Sequence, residues 1–300
     1  MTKKLHQSVL LQEAVNYLNV ETDQYYVDAT FGRGGHTQEI LKKGGKVIAL
    51  DCDREAIEYG QKTFANEIKQ GKLILIRENF DKLEQVINEL KNKDQVKEIK
   101  GILFDFGTSV DQLKSEARGF SFDTPESELD MRMDDRLGVK AKDLLAVLSE
   151  KQLAELFKEY GGEYQAKAIA KAIDRTKKSG DLTKLATVGG LVDLITKVKR
   201  GHRGHLHPAT KVFQALRIAV NDELSSINKA MPQTLAIIKT GRIVTIAFHE
   251  GEDRIIKNLF KDWAQTNLGT IITHKAIKPD EEELNKNPRA RSAKLRAFEK

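Results

Sequence analysis

Apolar positions in the first hundred residues alternate between two periods. Leu10, Leu11, Ala14, Val15 and Leu18 recur at helical spacing. Tyr25-Tyr26-Val27-Asp28-Ala29-Thr30-Phe31 then reads as a strand running into the glycine turn Gly32-Arg33-Gly34-Gly35, and a helix carrying Ile40 and Leu41 follows. Lys46 to Leu50 is a short buried strand ending at Asp51. Arg54 to Ile68 is helix-like, Leu73 to Ile76 is a third strand, Leu83 to Leu90 is helical, and Ile99 to Phe106 is a fourth strand containing Asp105. Short apolar strands separated by helices of this length predict βαβ units and a parallel sheet, because such strands are covered on both faces.

The rhythm breaks near residue 111. From there to about residue 207 no strand pattern stands out, and helices dominate. Ser149-Glu150-Lys151-Gln152 fits a capping box that opens a helix carrying Leu153, Leu156, Phe157 and Tyr160. Further helices are expected over about Tyr164–Lys178 and Thr183–Val198. The alternating pattern returns with Pro208, which suits a first helical position. Val212, Phe213, Leu216, Val220 and Leu224 stripe that helix. Arg242 to Phe248 is a fifth strand, Ile255 to Trp263 a helix, and Thr270–Thr273 and Ser292–Phe298 closing strands. The expected division is therefore a core over 1–110 and 208–300, interrupted by a helical domain over 111–207.

Composition narrows the class of protein. The chain has 300 residues, 40% hydrophobic and 31% charged, which excludes a disordered tail or a fibrous rod. No apolar run reaches the roughly 18 residues of a membrane helix, and the first residues lack the apolar stretch of a secretory signal. One cysteine, Cys52, permits no internal disulfide, so a reducing, cytoplasmic setting is expected. The net charge is +6, and its distribution matters more than its size. From Leu194 to Asn221 there is no acid, while Lys197, Lys199, Arg200, Arg203, Lys211 and Arg217 fall within it. The segment 285–300 holds six basic residues, Arg289 and Arg291 among them, against Glu299 alone. A run of charge is commonly a solvated face, but two acid-poor stretches in one chain favour a polyanion such as nucleic acid.

The chemistry-bearing residues gather at predicted strand ends. The glycine turn lets a ligand approach the backbone, and Asp51, closing the next strand, suits ribose hydroxyls. The dinucleotide pattern wants a third glycine where Thr37 stands, so this motif alone leaves a nucleotide site and a plain connecting turn equally supported. The same pieces suit S-adenosylmethionine, whose cationic methionine end would be favoured by Asp28 and Asp105. Phe80 is placed either to pack on adenine or to fill the core. His202, His205 and His207 lie among basic residues without acid or cysteine, which reads as a basic loop and no metal site.

Taken together, HQSVLLQEA at 6–14, TFGRGGH at 30–36, DFGTSVDQL at 105–113, RGFSF at 118–122, LDMRMD at 129–134, PATKVFQALRIAVNDEL at 208–224, FHEGEDRIIK at 248–257 and NPRARSAKLR at 287–296 resemble the RsmH (MraW) family of ribosomal RNA small-subunit methyltransferases over nearly the whole chain. The resemblance implies an α/β, Rossmann-like class I S-adenosylmethionine-dependent methyltransferase, with a mostly parallel seven-stranded sheet and an inserted helical domain. It implies methyl transfer from S-adenosylmethionine to the N4 of a cytidine in the decoding region of 16S rRNA, within an assembled small ribosomal subunit, and leaves monomer or homodimer open. Carried over by motif, the cofactor contacts are Gly34, Gly35, His36, Asp51, Phe80, Asp105 and Gln112. Asp105 and Ser109 are candidates to face the reacting amine. A side chain at Gly35 is expected to collide with the ligand. Arg200, Arg203 and Lys211, with Arg289 and Arg291, are candidates for RNA phosphates. Val110 and Glu250-Gly251 depart from the family's usual serine and Ser-Leu. They motivate an alternative, a non-catalytic ribosome-assembly factor that keeps the fold.

Overall fold

The computed structural model describes residues 8–108, 112, 118–200 and 206–300. They fall into two compact units, 1–107 with 224–300 and 108–223. No helix among the described residues is long and apolar enough to cross a membrane.

The first unit is built on seven strands: β1 (Tyr25–Asp28), β2 (Lys46–Asp51), β3 (Leu73–Arg77), β4 (Ile99–Asp105), β5 (Ile238–Ala247), β6 (Thr270–Ile271) and β7 (Lys294–Glu299). They form one sheet in the order β3-β2-β1-β4-β5-β7-β6. Strands β1 to β5 are parallel, and β7 lies antiparallel between β5 and β6. The apolar runs explain this burial. In β2, Ile48 and Leu50 join one hydrophobic cluster while Val47 and Ala49 join another. Val27 and Tyr26 of β1 split the same way. Alternate side chains thus enter cores on opposite faces of the sheet, and each face is covered by helices. Helix Leu83–Asn92 buries Leu83, Val86, Ile87 and Leu90 on one face. Helix Leu11–Leu18 buries Ala14, Val15 and Leu18 on the other.

Three expected helices are each divided in two; the one over Thr183–Val198 becomes a short 3-10 helix, Leu182–Leu185, and helix Val188–Val198. The pattern over Arg54–Ile68 forms Arg54–Thr63 and Ala65–Lys69. The break at Phe64 leaves its ring 5% exposed and edge-on to Phe31, with centroids 5.7 Å apart. Burial of an aromatic ring here outweighs one uninterrupted ladder of helical hydrogen bonds. Likewise the stripe from Pro208 to Leu224 belongs to helix Thr210–Asn221, after which Asp222 adopts a left-handed conformation and a second helix, Glu223–Ile237, begins.

This last break corrects the domain boundary. Val212, Phe213, Ala215, Leu216 and Val220 pack into the core of the inserted unit with Phe157, Ile169, Ile173, Leu191 and Ile195. The chain therefore returns to the sheet unit at Leu224 and not at Pro208. A helical period shows that a face is buried but not in which core. The inserted unit has no strand among its described residues. Its helix Glu150–Glu159 opens with the expected Ser149–Gln152 capping box.

Candidate active site

Strands β1, β2 and β4 all end on aspartates at the carboxyl edge of the sheet, where open α/β sheets bind ligands. Each carboxylate is held differently. Asp28 is fully buried; it accepts the Thr37 hydroxyl at 2.7 Å and the Thr30 amide at 3.3 Å. Asp51 accepts the Gly32 amide at one oxygen and the Asp53 amide at the other, both at 2.8 Å. Each oxygen keeps a second lone pair, so both can still receive a hydroxyl. Asp105 is anchored through its backbone, whose amide donates to the Thr30 hydroxyl at 2.7 Å. Its Oδ1 is buried with no hydrogen-bond partner among the described residues.

Burial pushes the Asp28 and Asp51 carboxyls up to about 6, against the hydrogen bonds that favour their charged forms. Asp105 is held well above the usual carboxylate range, first by burial and then by the charges of Asp28, Glu252 and Glu283. His36, 4% exposed, has Nδ1 at 3.8 Å from Asp105 Oδ2 and Nε2 at 3.3 Å from the Val9 carbonyl. A cluster of desolvated carboxyls around an open acceptor gains by receiving a cation. It disfavours a pyrophosphate, which would add negative charge to the same edge. Among the ligands weighed from sequence, this favours one with a ribose and a cationic end.

The glycine turn divides its roles. Gly34 has φ +72° and caps helix Gly35–Lys42, a conformation in which a side chain is strained. Gly35 has no such constraint, and a Cβ there would lie 2.1 Å from Ser8 Oγ. The expected collision at Gly35 is thus first with the N-terminal segment and only beyond it with any ligand. Phe80 opens the short helix Phe80–Lys82; its ring stands edge-on to Phe104 and Phe106, both centroids 5.8 Å away. Gln112 is buried, in the inserted unit. Ser109, Val110 and Arg203 lie outside the described residues, as do His202 and His205.

Sequence reasoning missed Thr30 and Thr37, the hydroxyls that orient Asp105 and Asp28, and Ser8-Val9, which run beside the turn. Their signal was their placement within the motifs HQSVLLQEA and TFGRGGH and immediately after it. It also treated Lys199 as part of a basic surface. Lys199 is buried against Glu163, Nζ to Oε2 2.8 Å, and also donates to the Pro208 carbonyl. Arg217 is likewise bound to Glu223 by two hydrogen bonds of 2.8 Å. His207 stacks on Phe122 at 4.3 Å, and burial together with Lys199 lowers its pKa. Of the named RNA candidates, Arg200, Arg289 and Arg291 are exposed. Lys211 Nζ donates to the Gly162 carbonyl at 2.8 Å and lies 5.9 Å from the Tyr164 ring centre.

Residues 3–300 match the family model described as the MraW methylase family. A ribosomal RNA small subunit methyltransferase H from Dictyoglomus thermophilum is 41% identical over 302 residues, covering 99% of this chain and 97% of that protein. Another of the same name from Coprothermobacter proteolyticus is 38% identical over 298 residues, covering 98% and 96%.

Proposed function

Because the chain belongs to the MraW methylase family, we propose that it transfers a methyl group from S-adenosylmethionine to the N4 of a cytidine in the decoding region of 16S rRNA, within an assembled small ribosomal subunit. The observation that carries this reading is the carboxylate edge of Asp28, Asp51 and Asp105, with the unpartnered Oδ1 of Asp105 beside the glycine turn. The residues fit the cofactor's chemistry. Asp51 offers two acceptors for a ribose diol, and Asp105 with His36 borders the place for the cationic methionine end.

When bound, S-adenosylmethionine supplies an electrophilic methyl group on a sulfonium whose charge is lost on transfer. The protein's own contribution is alignment and a hydrogen-bond acceptor. Cytosine N4 is a weak nucleophile, because its lone pair is delocalised into the ring, so holding the amine in line with the methyl group lowers much of the barrier. Asp105 and Ser109 are the groups that would face the amine and accept a hydrogen bond from its N4–H, turning the nitrogen lone pair toward the methyl group. The proton lost as nitrogen gains the methyl carbon passes to water. The base is turned out of its stack to reach the strand ends. Arg200, Arg203 and Lys211 in the insertion and Arg289 and Arg291 in the sheet unit hold RNA phosphates, which position the substrate without reading its sequence. Mass mapping of 16S rRNA from cells with and without this protein tests the reading. N4-methylcytidine present only with the protein is the expected result. Its presence in both would assign the modification to another enzyme.

A further inference from the structure

We propose that a groove on the sheet unit, walled by Phe248 and His249 just past β5 and by Lys278, Arg291 and Lys294, seats the phosphate backbone of the substrate RNA, and that Glu250 restrains its grip. This inference rests on the RNA-methyltransferase reading. The groove has a volume of about 260 Å³. It opens beside the carboxyl edge that carries Asp105, since β5 is the parallel neighbour of β4. Phe248 also lies against the turn that follows Asp105: its ring edge is 3.6 Å from where a Cβ on Gly107 would stand. A strand of RNA delivering a base to Asp105 therefore has its adjacent backbone within reach of this wall.

The lining is unbalanced in charge, three cations against one carboxylate among the described residues. Lys278 and Arg291 have no carboxylate within ion-pair distance among the described residues. Arg289, three residues before Ser292, does not line the groove, which separates the two arginines that the sequence treated alike. Lys294 is shared: Nζ sits 2.8 Å from Glu250 Oε2 and 3.1 Å from Asp253 Oδ2. Asp253 is buried and tied to Arg296 as well, so that link is structural. Glu252 is likewise committed, receiving the Phe248 and His249 amides. Glu250 differs, with its side chain 74% exposed. A phosphate entering the groove competes with this lining acid for Lys294.

The test uses the full chain, small ribosomal subunits from cells lacking this protein, and binding measured across a salt series. Replacing Lys278 and Arg291 together by alanine should make the log–log salt slope shallower by about 1.4–1.8, near 0.7–0.9 for each phosphate no longer neutralised. The KM for RNA should rise while affinity for S-adenosylmethionine stays unchanged. Glu250→Gln should act oppositely, tightening RNA binding on the order of several-fold at low salt and less at high salt. Circular dichroism confirms that the variants remain folded. If both variants bind RNA with the wild-type slope and affinity while the wild type methylates, the groove assignment is overturned and the methyltransferase reading stands. A wild-type protein that neither binds nor methylates those subunits overturns both.

Discussion

Asp28 shows how one buried carboxyl ties stability to function. Its pKa is pushed up to about 6, while the unfolded chain keeps the ordinary value near 3.8. The folded state therefore binds more protons between those two values, so this residue lowers stability as pH rises through about 6 and relieves the protein as pH falls toward 4. Asp28→Asn should raise the unfolding free energy at pH 7.5 by about 1–3 kcal/mol, with the gain shrinking below pH 6; denaturant melts at several pH values measure it. The amide oxygen can take the Thr30 N–H while the nitrogen donates to the Thr37 hydroxyl, but the Thr37 backbone N–H, which also bonds Asp28, loses a carboxylate acceptor, which sets the gain toward the low end of that range. The same titration governs the ligand. A carboxyl must be ionised to favour a cation, so the titration of Asp28 near 6 should lower affinity for S-adenosylmethionine about tenfold between pH 7.5 and 5, as read by calorimetry. Asp51→Ala should weaken that affinity by roughly 10- to 150-fold, one charge-assisted bond. The aspartates were legible in the sequence because each ends an apolar run. Their supports were not, since a threonine's partner depends on which strand end folds beside it.

Helices were legible where a local chemical signal marks them and illegible where a distant contact decides. The Ser149–Gln152 capping box is entirely local, with the Ser149 amide donating to Gln152 Oε1 at 2.9 Å, and its helix starts where the sequence predicts. Ser149→Ala should cost about 1 kcal/mol in thermal or denaturant unfolding. The break at Phe64 has no comparable local mark, because it is set by Phe31, which lies thirty-odd residues earlier in the turn after β1. Lys199 belongs to the same class. Nothing in an acid-poor run distinguishes a lysine that faces water from one that meets Glu163 after the helices pack. With both side chains nearly fully buried, Lys199→Ala should destabilise the protein by about 3–5 kcal/mol by stranding a carboxylate, whereas replacing both partners by apolar residues of similar size should recover most of that loss. A lysine serving only as an RNA contact would leave the denaturation midpoint where it was.

At the scale of the whole molecule, the doubly wound sheet and its helical interruption were both visible as a change of hydrophobic period, but the ownership of helix Thr210–Asn221 was not. Charge behaves differently from fold here. Exposed Arg200 should contribute to RNA binding, so Arg200→Ala is expected to shallow the salt slope by about 0.7–0.9 without altering melting. The interruption also has a consequence in time. Strands β4 and β5 lie at the middle of the sheet, yet Lys100 and Thr240, which meet there, are 140 residues apart in sequence. Closing so long a loop is an entropic toll that falls by about 0.6 kcal/mol for each halving of the free chain. The inserted segment carries its own hydrophobic cluster and mostly local helical contacts, which form faster than distant strand pairs. Its collapse would draw in the slack before the sheet is joined, removing about 2 kcal/mol if the free length shrinks eightfold. Pulsed hydrogen exchange during refolding should then find amides of helices Glu150–Glu159 and Ala166–Lys178 protected ahead of those in β5. On this account the segment that separates the two halves of the sheet in sequence is what hastens their meeting, and simultaneous protection of both sets would refute that order.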